Sequence, residues 1–133
     1  MKKVQIAVLF SLIVAILCVS ITAYNDIDTR RWPPASLSWD ANGIQCWSST
    51  SLYNSSASAH TDTDTITDIT IWAGYDYYPT PSYIPTRVEG TITYPVANNA
   101  DLYLYPRADH TSVISLASAA EHTVNGVTEH TAS

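Results

Sequence analysis

The densest run of metal-ligating side chains is His60-Thr61-Asp62-Thr63-Asp64-Thr65-Ile66-Thr67-Asp68. An extended backbone projects Asp62 and Asp64 to the same side, and paired carboxylates can contribute oxygens to a Ca²⁺ shell. Asp62, Asp64 and Asp68 are therefore calcium candidates. The run lacks the Gly and the distal Glu of an EF-hand loop, and a solvated strand start uses the same residues equally well. The four histidines, His60, His110, His122 and His130, show neither H-x-H nor H-E-x-x-H spacing, and no C-x-x-C accompanies them. A zinc site needs ligands converging at about 2 Å, and no such spacing argues for one. Serine is abundant, yet no G-x-S-x-G or S-x-x-K sequence is present. No catalytic residue and no cofactor is expected.

Residues 72–85 carry a second kind of chemistry. Trp72, Tyr75, Tyr77, Tyr78 and Tyr83 are interleaved with Pro79, Pro81 and Pro85. Proline disfavours a central strand, so the stretch reads as a long, partly stiffened loop at a sheet edge. Tyr and Trp offer flat apolar faces with a polar handle, which suits a carbohydrate or a protein partner. The competing reading is that these rings cap a small core, since residues 24–133 contain no Phe. Asn54-Ser55-Ser56 is an N-x-S acceptor on an expected loop, so Asn54 is a glycosylation candidate in a host that glycosylates exported chains. Cys46, between Ile44 and Trp47, reads as a small buried apolar side chain rather than an intermolecular link.

The elements that must position these residues read as strands. No window sustains apolar residues at helical spacing; period-two alternation of β-branched and aromatic residues recurs instead. In residues 88–96, Val88, Ile92, Tyr94 and Val96 share one face, and Pro95 points to an edge or a strand end. Residues 44–53, 65–73, 101–105 and 112–118 are further strands, with Asn98-Asn99 as a turn between two of them. Val124-Asn125-Gly126-Val127 predicts a type I′ hairpin, because both central residues need φ > 0. Counting outward pairs His122 with Glu129 and Glu121 with His130. Each carboxylate should then raise the pKa of its histidine. The expected fold is all-β: a small antiparallel β-sandwich or barrel-like domain over residues 36–133.

Residues 1–23 have another character. Met1-Lys2-Lys3 precedes a 20-residue apolar stretch, residues 4–23, and the polar Asn25-Asp26-Ile27-Asp28 follows. This is the layout of a secretory signal helix, with cleavage expected between Ala23 and Tyr24 and a linker over residues 24–35. The same stretch is long enough to remain as an uncleaved membrane anchor. After cleavage four arginines face twelve acids, a net charge of −8 with no lysine. That acidity disfavours nucleic acid and anionic membrane surfaces as partners, leaving residues 4–23 as the one route to a membrane.

The run Ser118-Ala119-Ala120-Glu121-His122-Thr123-Val124-Asn125-Gly126, with Ser51-Leu52-Tyr53-Asn54-Ser55, resembles segments of the short secreted β domains of lactococcin-type bacteriocins. It covers under a fifth of the chain and implies a secreted antibacterial effector as an alternative function. The expected function is non-catalytic extracellular binding or adhesion, secreted or at the cell surface, through an extracellular protein or carbohydrate. A surface-filament subunit is the other alternative, because lysine is the usual blocker of edge-to-edge strand pairing and self-association through strand edges is then open.

Overall fold

The structure is a computed structural model that describes residues 33–133. The expected signal helix and its cleavage point lie outside the described residues. Six strands follow in order: β1 (Ser36–Ala41), β2 (Ile44–Leu52), β3 (Ala57–Pro79), β4 (Thr86–Leu104), β5 (Val113–Val124) and β6 (Val127–Ala132). Every pairing is antiparallel, and the described residues contain no helix, as the alternation predicts.

The spine is the 23-residue β3. β4 runs along one of its edges, from Ala57↔Leu104 to Tyr77↔Thr86. The other edge is shared: β2 takes Ala57 to Thr63, and β5 takes Ile69 to Pro79. β1 extends β2, and β6 extends β5. Between Asp62 and Ile69 the β3–β4 register shifts twice, first with extra residues on β3 and then with one on β4. Bulges bend a strand and sharpen its twist, and here they fold the long hairpin back on itself. A Cβ built on Gly90 would stand 3.1 Å from Leu104 Cδ2, although both residues belong to β4. The result is a nearly closed, barrel-like sheet.

The core follows from parity. Ala57, Ala59, Thr61 and Thr63 face inward before the bulge, and Ile69, Ile71, Ala73, Tyr75 and Tyr77 after it. Trp39, Ala41, Cys46, Ala100, Leu104, Ala120 and Val124 complete the core from the other strands. Each large apolar side chain so buried contributes roughly 1.5–3 kcal/mol.

Two expectations are corrected here. Residues 72–79 are the end of β3, flanked by β4 and β5, and the loop is confined to residues 80–85. Tyr75 and Tyr77 keep the inward parity of Ile69 and Ile71, so the prolines terminate this strand rather than exclude it. Asn98-Asn99 is not a turn; both residues lie inside β4, with Asn99 opposite Asp62. The irregularity lies just beyond them: the extra residues fall on β3 between Asp62 and Thr67, and β4 contributes one of its own between Ala97 and Tyr94, beside Pro95. Leu104 points inward and Tyr103 outward, as the alternation requires. Pro95 sits in β4, whose second edge pairs with no described strand.

The terminal hairpin has the expected register, from Val124↔Val127 to Glu121↔His130. Asn125 (φ 47°) and Gly126 (φ 77°) occupy the left-handed region, as a type I′ turn demands. Ala41-Asn42-Gly43-Ile44 makes the same turn between β1 and β2, with φ of 52° and 97°. The two turns meet: Asn42 Nδ2 donates to the Asn125 carbonyl at 3.2 Å, and Asn125 Nδ2 to the Ala41 carbonyl at 3.1 Å.

Candidate functional site

The outer face of β1, β2, the first arm of β3 and the last arm of β4 gathers the exposed polar chemistry. Period two sends alternate residues outward, and cross-strand register lines them up in rows. One row is Ser38–Trp47–Asp62–Asn99; the next is Ser36–Ser49–His60–Asp101. Trp47 is 46% exposed in a strand whose next inward residue, Ser48, is buried. A shallow groove of about 390 Å³ crosses this face, lined by Leu37, Ser38, Trp47, Ser49, His60 and Asp62.

His60 organises the row. Its Nδ1 lies 2.7 Å from Asp101 Oδ1 and its Nε2 lies 2.9 Å from Asp62 Oδ2. Partial burial alone would lower its pKa, but hydrogen bonds to Asp62 and Asp101, and then their charges, outweigh it and raise the value. When protonated, the ring donates from both nitrogens and so locks two carboxylates in place. Ser49 faces His60 in register, but neither ring nitrogen is left to take a proton from it. The row therefore offers fixed acceptors rather than a nucleophile. Beside it, the Trp47 ring presents a flat apolar face.

The calcium candidates do not converge. Asp62 belongs to the His60 pair. Asp64 Oδ1 accepts from the Gln45 backbone N–H at 3.1 Å and from Thr65 Oγ1 at 3.2 Å. Asp68 lies within the irregular stretch, in a separate groove beside Ile66 and Val96. Among the described residues no group of three or more His, Cys, Asp or Glu is placed to hold a metal ion.

The five aromatics of residues 72–85 do not form one surface either. Tyr75 and Tyr77 are fully buried, with ring centroids 5.2 Å apart. Tyr75 shares a 2.7 Å hydrogen bond with Ser115. The Tyr77 hydroxyl bonds His110 Nδ1 at 2.7 Å and accepts the Arg107 backbone N–H at 3.1 Å, which ties down the loop after β4. Trp72 and Tyr78 are half-buried, and only Tyr83 is exposed, at the tip of the 80–85 loop with φ 49°. Between these rings Asp76 is buried and takes a two-pronged bond from Arg87: Nε to Oδ1 at 2.7 Å and Nη2 to Oδ2 at 2.9 Å. Asn54 is exposed in the turn joining β2 to β3. Cys46 is buried, and burial, then the charges of Asp64 and Asp40, push its thiol up to about 11.

His122 overturns an expectation. Glu121 and His130 do approach, at 3.4 Å. His122, however, points inward with Ala120 and Val124 and is fully buried. Its pKa is lowered to about 4 by burial, with the charges of His130 and His60 adding to the effect. Pairing in register with Glu129 does not bring the carboxylate to the ring, whose partners are hydroxyls. Nδ1 bonds Thr61 Oγ1 and Nε2 bonds Thr131 Oγ1, both at 2.7 Å. Thr61 continues to Ser48 at 3.1 Å, and Ser48 accepts the Trp39 indole N–H at 3.0 Å. On the far side Thr131 bonds Thr50.

Trp47, His60 and Asp101 escaped the sequence reading as a site. One signal for Trp47 was present: in residues 44–53 it shares a face with Gln45, Ser49 and Ser51, so alternation alone places a Trp on the polar side. Nothing local joins His60 to Asp101, 41 positions away. Comparison with protein-family models, with curated proteins and with solved structures finds no match to this chain.

Proposed function

We propose that this chain is a non-catalytic, secreted or cell-surface β domain that binds carbohydrate on the outer face of β1–β4. The observation that carries the reading is the exposed Trp47 ring beside carboxylates fixed by His60 on neighbouring strands. A sugar presents an apolar C–H face to stack on an indole and a rim of hydroxyls to donate to carboxylates. Strands hold such groups more firmly than loops do, so little ordering cost opposes binding. The net charge of −8 beyond residue 23 favours neutral or amino sugars over acidic ones.

Calorimetric titration with neutral, amino and acidic oligosaccharides tests this. The expected result is binding by the wild type that Trp47→Ala weakens at least about tenfold, in line with the loss of roughly 1.4 kcal/mol or more of stacking. Melting should shift by only a few degrees. No binding to any neutral or amino sugar overturns the reading. Export is tested separately: the mature chain should begin at Tyr24, and a product retaining Met1 in carbonate-resistant membranes would instead be anchored.

A second reading, self-association, is favoured by β4. Its outer edge pairs with no described strand, and residues 91–100 carry no charge. Light scattering should then show a mass that rises with concentration and that Val96→Lys returns to the monomer value, because an edge lysine blocks pairing. A monomer at every concentration removes this reading.

A further inference from the structure

We propose that His122 is an acid-operated latch on the seam between the β1–β2 and β5–β6 hairpins, and that protonating it opens the barrel along that seam. No backbone ladder joins these two hairpins. Among the described residues one backbone bond crosses, from the Ala132 N–H to the Pro34 carbonyl at 3.2 Å, together with the two Asn side-chain bonds between the turns. Besides apolar packing of Trp39, Ala41 and Cys46 with Ala120 and Val124, the seam is spanned by the buried chain Trp39–Ser48–Thr61–His122–Thr131–Thr50, which touches β1, β2, β3, β5 and β6. His122 is its centre, and the hydroxyls on its two sides come from strands that are not paired to each other.

The neutral ring donates from one nitrogen and accepts at the other, so the flanking hydroxyls run head to tail. An imidazolium has two donors and no acceptor. The hydroxyl that donated to the ring must turn away, towards neighbours that are already engaged. The new charge also lacks a counter-ion. From β6, Glu129 stands opposite in register but makes no ion pair with the ring, and His130 adds positive charge when protonated. From β3, His60 does the same; β2 offers only the Cys46 thiol, and the inward Trp39 of β1 carries no charge. A charge buried without a partner is strongly unfavourable. Opening the seam returns the ring to water, where it binds a proton near its ordinary value of about 6.5. The ladder between β3 and β4 contains no part of this chain beyond Thr61 and need not break.

Hydrogen exchange on the exported protein at pH 7.5 and pH 5, corrected for intrinsic rates, is the test. With the folded ring titrating near 4, linkage gives about a thirtyfold rise in the opening constant for β1 and β6 amides. Amides of residues 69–77 on the β3–β4 ladder should hold their protection. His122→Gln keeps a donor and an acceptor but does not titrate, so the rise should vanish. The same rise in His122→Gln, or loss of protection on the β3–β4 ladder in step with the seam, overturns the proposal. If His122→Gln does not fold, the wild-type ring decides by NMR: titration well below 6 supports the latch, and titration at or above 6.5 overturns it. Neither result depends on sugar binding.

Discussion

Tyr75 and Tyr77 are large side chains with no exposed surface, and their hydroxyls reach Ser115, His110 and the Arg107 backbone. Truncating either ring leaves a cavity and strands those partners. Tyr75→Ala and Tyr77→Ala should each cost about 3–5 kcal/mol, by analogy with other buried aromatics. That corresponds to melting lowered by well over roughly 8 °C in a domain of this size. Chemical denaturation checks it; a loss under about 1 kcal/mol would mean that the rings are not core. Asp76→Asn removes one partner of a buried pair and leaves Arg87 with a weaker acceptor, so about 3 kcal/mol should be lost. Replacing both residues by apolar ones should recover much of it. His60 behaves differently because it is partly exposed. Its raised pKa means that its contribution is present below the ordinary value near 6.5 and fades as pH rises through the raised one. NMR titration should show Asp101→Asn moving that value down; an unmoved value removes Asp101 from the site.

At the scale of elements, the two Asn-Gly turns are a matched pair. Gly43 and Gly126 both have positive φ, and an added Cβ would meet nothing within 4 Å at either position. Substitution is therefore opposed by backbone strain alone. Gly43→Ala and Gly126→Ala should each cost roughly 1–2 kcal/mol, and a β-branched residue such as Val more. Because Asn42 and Asn125 bond to each other's turns, a double-mutant cycle of Asn42→Ala and Asn125→Ala should show coupling, whereas independent turns would simply add. The terminal turn and its register were legible because Asn-Gly between two valines is a local instruction. The first turn carries the same instruction in Ala41-Asn42-Gly43-Ile44, but neither it nor β1 was among the elements expected from the sequence. The bend of β3 was not legible. Nothing in Thr63-Asp64-Thr65-Ile66 differs from a continuing strand; the bulge exists because β4 must follow both arms of a sheet that closes.

For the whole molecule, acid is the condition that matters most. His122 has a folded pKa of about 4, below its unfolded value near 6.5. Its contribution is therefore complete above about pH 6.5 and is lost as pH falls towards 4, because the unfolded chain binds the proton first. Urea unfolding at pH 7 and pH 4.5 should differ by roughly 2–3 kcal/mol from this residue, and His122→Gln should narrow the gap. Alternation along the chain was enough to determine the all-β class, and Asn-Gly the terminal hairpin, because those depend on neighbours two to five positions apart. Tertiary structure decided the rest. Closure turned an expected aromatic loop into core strand, carried His122 to the hydroxyls of Thr61 and Thr131, and set Asp101 beside His60. A period of two says which residues share a face; it does not say which distant strand will lie against that face, and the chemistry of this domain is made between strands.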